Sequence, residues 1–259
     1  MSDSVTAQIF PKRSGVPNID ATRPFDPDQA LKTFMAPGEN QGSKWSNADS
    51  VRFAELQQLL SQQFHGEPER SELQAQALNN WLFDKLSSGK LANAPFTVIT
   101  QASDLIESCL LFELPDGLRL MLHLRQAQIS GRLTQFRDDQ EAINAADNGV
   151  LLAGFMEDPR NLLLAKLIRS QVGPYDEARQ AALDQALKIS GQLGKKGNHI
   201  VKQLVVATAW EAWRTAEHHK QTRRAKSLKR RLDKLSRNLT ADELTMLQRT
   251  PPVREGFSS

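Results

Sequence analysis

The sequence predicts a predominantly helical α+β fold. It consists of a helical hairpin, a small antiparallel sheet of two to four strands, and a helical C-terminal half with one long basic helix. Three observations predict it. Apolar residues recur at three- and four-residue spacing over most of the chain beyond residue 47. Near residue 118 that period gives way to alternation. From His199 to Arg237 there is neither Gly nor Pro to stop a helix.

Composition bounds the reading. A chain of 259 residues holds one domain or two small ones. The net charge of +3 hides an imbalance, because ten Lys and Arg between Arg214 and Arg237 face only Glu217 and Asp233. That segment carries +8 and the remainder −5, which points to a polyanion-facing element. The one cysteine, Cys109, sits in an apolar run and reads as core filler, and a single thiol implies a reducing compartment. No secretory pattern opens the chain and no apolar run approaches a membrane span, so a soluble, cytoplasmic protein is expected.

Residues 1–45 hold Pro11, Pro17, Pro24, Pro27 and Pro37, and read as a flexible arm whose Ile9, Phe10, Ile19, Phe25, Leu31, Phe34 and Met35 are either anchors that order on a partner or apolar points of a leader that pack on the body. Residues 46–173 read as the body. Asn47 or Asp49 caps a helix with Phe53, Leu56, Leu60 and Phe64 inward, ending at Gly66. Pro68 opens a second with Leu73, Ala77, Leu78, Trp81, Leu82 and Leu86, closed by Gly89.

The expected sheet follows. Phe96-Thr97-Val98-Ile99 is rich in β formers. The runs Leu110–Leu114 and Leu118–Arg125 flank Pro115-Asp116-Gly117, which reads as a hairpin turn. Leu118, Leu120, Leu122 and Leu124 would face the core, and Gln128–Leu133 could add a third strand. Arg119, His123 and Arg125 would then share the other face as a small cationic surface, with His123 an ordinary surface residue.

Helices resume with a short one from Asp138 or Asp139 to near Gly149. Another is capped by Asp158-Pro159 and stops at Gly173-Pro174. Residues 174–250 read as a helical region, with a helix from Asp176 burying Ala182, Leu183, Ala186, Leu187 and Ile189. Thr240-Ala241-Asp242-Glu243 is a capping box for a short helix to Arg249, and 251–259 read as a tail.

Two features carry the functional expectation. The first is the loop Gly194-Lys195-Lys196-Gly197, whose amides and lysines could approach a phosphate where the next helix starts. Over about a dozen residues this string resembles the Gly-x-x-Gly loop of KH domains, with an aliphatic residue before it and an aliphatic-rich helix after it. That resemblance implies a clamp on nucleic-acid backbone by Lys195 and Lys196. A KH domain returns to strands after a short helix, whereas this helix runs on. A helix C-cap followed by a solvated glycine turn is the other reading.

The second feature is the run His199–Arg237, long enough for a helix of about 58 Å. Its first half buries Val201, Leu204, Val205, Ala209, Ala212, Trp213 and Ala216. Its second half offers a narrow seam of Ala225, Leu228, Leu232, Leu235 and Leu239. From Ala216 to Leu228 the apolar face swings by about 120°, so the helix is expected to leave the body between Glu217 and Arg224. Lys220, Arg223, Arg224, Lys226, Lys229, Arg230, Arg231 and Lys234 flank the seam as candidate nucleic-acid ligands.

No P-loop, dinucleotide fingerprint, nucleophile elbow or metal-spaced His/Glu pair occurs, and most acids sit at helix starts, where capping explains them. The chain is therefore expected to be non-enzymatic, without cofactor or metal. It reads as a nucleic-acid-binding or nucleoprotein-assembly subunit for DNA or RNA. The alternative is an adaptor that docks an acidic or helical protein partner through Leu228, Leu232 and Leu235, with homo- or hetero-oligomers possible in either case.

Overall fold

The computed structural model describes residues 25–36, 44–62, 68–131, 139–193, 199–237 and 240. Among them the chain forms ten α-helices and one 3₁₀ turn, and no strand. The helices are α1 (Pro27–Met35), α2 (Asn47–Leu60), α3 (Pro68–Ser87), α4 (Phe96–Leu110) and α5 (Asp116–Ser130), then α6 (Asp139–Phe155), α7 (Pro159–Arg169), α8 (Glu177–Leu193), α9 (His199–His218) and α10 (Thr222–Ser236). None is long and apolar enough to cross a membrane.

The expected sheet is replaced by α4 and α5. Phe96 to Ile99 form the first turn of α4, and Pro115 is the residue at which α5 begins, its carbonyl accepting from the Leu118 and Arg119 amides at 3.0 Å. Proline's fixed φ suits a helix start, which is what Pro-Asp-Gly marks here instead of a hairpin turn. The alternating leucines have a helical explanation. Leu118 and Leu122 face a core shared with α1–α4, while Leu120 and Leu124 face a second core shared with α6 and α7. Two stripes of period four, offset by two residues, give the period of a strand. Their leucines are strong helix formers without β-branching. Gln128 to Ser130 end α5, and the rest of the proposed third strand lies largely outside the described residues.

The first core is built from Phe53, Leu56, Leu59, Leu78, Trp81, Leu82, Ile106 and Cys109, with Phe34 of α1 packed in. Within the stretch read as a flexible arm, Asp26 caps α1 by accepting from the Asp28 and Gln29 amides. Leu31 and Phe34 of that helix are buried. Ser46, not Asn47, caps α2, and Asp49 returns its carboxylate to the Ser46 amide in a capping box. The same Asp49 carboxylate receives Lys85 at 2.9 Å and Lys90 at 3.1 Å, tying α2 to α3 and to the 3₁₀ turn Lys90–Asn93. Burial alone would raise the Asp49 carboxyl, but hydrogen bonds from Ser46, Lys85 and Lys90 outweigh it and hold the group well below the carboxylate range.

The second core is close-packed because α6 presents small residues to α5. Ala142, Ala145, Ala146, Gly149 and Ala153 are buried against Leu120, Leu124 and Ala127. At Gly149 a Cβ would stand 2.7 Å from Leu124 Cδ2, so glycine permits this approach without displacing that leucine. Ser103 of α4 and Ser130 of α5 both donate to Glu141 Oε1, which pins the start of α6. Asp158 caps α7 with Pro159 in its first turn, and the Asp176 side chain accepts the Arg179 amide at the start of α8, as the sequence indicates.

Candidate functional site

The basic segment is a helical hairpin and not one long rod. α9 ends at His218 and α10 starts at Thr222. The break needs no Gly or Pro. Lys220 takes φ +54°, the Gln221 amide reaches back to the Ala216 carbonyl at 2.8 Å, and the Lys220 amide reaches Glu217 at 3.0 Å. This is a Schellman closure with lysine in the left-handed position that glycine usually holds. The turn is also braced from outside. The His219 ring stacks on Tyr175 at 3.6 Å, and the Tyr175 hydroxyl donates to Gln180, so the α7–α8 connection supports the corner.

The swing of the apolar face lies where the sequence places it, but its consequence is reversal. α10 folds back along α9 instead of leaving the body. Ala225 and Leu228 meet Ala212, Ala216 and Leu183. Leu232 meets Val206 and Ala209, and Leu235 packs near Val201 and Val205. Leu228 and Leu232 are buried and Leu235 is half-buried, so the described part of the seam is taken up within the chain, while Leu239 lies outside the described residues. A charged substitution at Leu232 would therefore act on folding.

Three of the candidate cations are engaged at the flanks of α10. Arg224 pairs with Asp184 of α8, and Arg231 Nη2 donates to Ser190 Oγ at 3.0 Å. Lys229 sits 4.7 Å from the Trp213 ring centroid and 3.2 Å from Asp233. The contacts to Asp184, Ser190 and Trp213 cross between helices and leave no local signal in the sequence. Arg223, Lys226, Arg230 and Lys234, joined by Arg237, are exposed. At 100° per residue the five share an arc of about 80°, opposite the leucines, and extend about 21 Å along the axis. Among the described residues none of the five forms an ion pair. Lys220 is exposed at the corner. Lys195 and Lys196 lie outside the described residues, as does the proposed helix from Thr240 to Arg249 apart from Thr240.

The cationic surface expected from Arg119, His123 and Arg125 does not form as one face. On a helix Arg119 and His123 are one turn apart on one side of α5, and Arg125 points elsewhere, over the Phe83 ring at 5.2 Å. Burial and the adjacent Arg119 push the His123 imidazole below the ordinary histidine value. Cys109 is buried, and its thiol is pushed up to about 12, so it is inert as a nucleophile.

Comparison with protein-family models, with curated proteins and with solved structures returned no match.

Proposed function

We propose that the chain is a non-enzymatic nucleic-acid-binding or nucleoprotein-assembly subunit that holds phosphate backbone on the outer face of α10. One observation carries the reading: Arg223, Lys226, Arg230, Lys234 and Arg237 lie on one exposed arc, none of them ion-paired among the described residues. Five adjacent cations repel one another, and a polyanion relieves that repulsion while releasing its own counterions. The uptake of Leu228 and Leu232 within the chain supports this reading over an adaptor that docks through those residues.

The test is anisotropy of labelled single- and double-stranded oligonucleotides at low and moderate salt. About four phosphates engaged would give a log–log salt slope near −3 to −4. Arg223→Glu with Arg230→Glu should weaken binding by well over an order of magnitude, whereas Arg224→Ala, already paired to Asp184, should change it little. Unchanged binding by the double variant, or no binding at low salt, overturns the proposal. Retention on polyglutamate but not on oligonucleotides would transfer the basic face to an acidic protein partner.

A further inference from the structure

Five cationic side chains are buried among the described residues: Lys85, Lys90, Arg125, Arg169 and Arg179. A cation taken out of water is costly unless a counter-charge or several acceptors surround it. Four of the five are matched. Lys85 and Lys90 share Asp49, Arg169 pairs with Asp147 at 2.7 Å, and Arg179 donates to the Ser170 and Gly173 carbonyls at 2.7 and 3.1 Å. Arg125 is the exception. It is 7 % exposed, its Nη1 donates to the neutral amide of Gln128 at 2.9 Å, and its Nε has no acceptor. Burial lowers it to about 10, so it still carries its charge at neutral pH.

Its surroundings describe what is missing. The guanidinium lies 5.2 Å from the centroid of Phe83, a ring 56 % exposed to solvent. One helical turn earlier on that face of α3, Asn79 has a buried Oδ1 with no donor. The crease between α3 and α5 thus holds a cation without an anion and an aromatic surface open to water, and one turn along α3 lies an acceptor without a donor. A carboxylate would meet the first, an apolar neighbour the second, and a peptide N–H the third. A phosphodiester has no N–H for Asn79, so a peptide fits better than a nucleic-acid backbone.

We infer that the Asn79–Phe83–Arg125 crease is a docking site for a partner protein segment that inserts an Asp or Glu side chain toward Arg125, with an apolar residue against Phe83. This surface is separate from the α10 face and independent of the nucleic-acid reading.

The test uses the full chain on an array of 12-residue peptides, each with one Asp or Glu between apolar residues, beside their Asn or Gln counterparts. Wild-type protein should be captured by a subset of the acidic peptides and not by their amide versions. Arg125→Met should lose roughly 30-fold or more in affinity, the cost of removing one partner of a buried charge pair. Its melting temperature should equal or exceed wild type, since an unmatched charge has been removed. Phe83→Ala, at an exposed ring, should weaken capture without unfolding the protein. Absence of capture by any acidic peptide, equal capture of acid and amide peptides, or capture unaffected by both variants overturns the inference. So does a melting temperature several degrees lower for Arg125→Met, which would make the arginine a structural member of the core.

Discussion

Lys220 holds a backbone conformation that a side chain makes costly, because its Cβ crowds the following carbonyl. Glu157, at φ +54°, does the same just past α6. Lys220→Gly should raise stability by about 0.5–1 kcal/mol, the relief of strain exceeding the greater freedom glycine gives the unfolded chain. A higher urea midpoint at unchanged slope would show it, and a lower midpoint would refute it. Asp49 makes the opposite case, a residue whose loss exposes others. Asp49→Asn leaves Lys90 buried without its anion, while Lys85 keeps Asp84 at 2.8 Å, at a cost of about 3 kcal/mol. Its folded carboxyl titrates well below its unfolded one, so the stabilisation is present above about pH 4 and is lost as pH falls further. The acid limb of a pH–stability curve should therefore flatten in Asp49→Asn. Capping residues of this kind were largely legible: Asp158-Pro159 and Asp176 are where the sequence puts them. The partners of Arg224, Arg231 and Lys85 were not. Asp184 and Ser190 lie 40 and 41 residues from theirs, and Asp49 is brought to Lys85 by a helix crossing that no local pattern announces.

At the scale of the element, the crossing of α5 on α6 is decided by Gly149. Alanine there would gain up to about 1 kcal/mol of helix propensity, yet its Cβ would stand 2.7 Å from the Cδ2 of a fully buried Leu124, which must shift within the core. Overpacking costs of about 1–3 kcal/mol should dominate, so Gly149→Ala is expected to destabilise. Combining it with Leu124→Ala should cost less than the two changes summed, and a double-mutant cycle measures the difference. The same crossing explains why the sequence of α5 has the period of a strand. A helix enclosed on two sides keeps only a narrow polar stripe, Arg119, His123 and Gln126, and its two stripes of leucine imitate a strand. The corner at Lys220 was half legible. The shift of the apolar face marks its position, but a left-handed lysine carries no signature that glycine would have supplied. Helices α2, α3 and α8 are readable because each has one face against a core and one against water, whereas α7, with Leu163 in one cluster and Ala165 and Ile168 in another, is marked by its Asp158-Pro159 start.

For the molecule as a whole, charge is sorted by depth as well as by segment. Of the basic residues on α10, those beside the seam are spent on contacts within the chain, and those opposite it face solvent. Ionic strength should accordingly act in two ways. On the proposed reading, binding of oligonucleotides should fall steeply with salt, while the unfolding midpoint should change little, because the exposed pair Lys229–Asp233 contributes only a few tenths of a kcal/mol. Parallel titrations of both quantities would separate them. A midpoint that fell as fast as binding would mean that the basic face also sustains the fold.

Helix α5 belongs to two cores at once, with Leu118 and Leu122 in one and Leu120 and Leu124 in the other. Neither core can dissolve without stripping one side of that helix, which links their fates. In native-state hydrogen exchange the central amides of α5 should be among the slowest, released only when the whole body opens. The amides of α1 and of the α9–α10 corner should exchange through smaller, local openings. Denaturant should raise the exchange rate of α5 with the full slope of global unfolding, making that helix the internal clock of cooperativity for the two cores it joins.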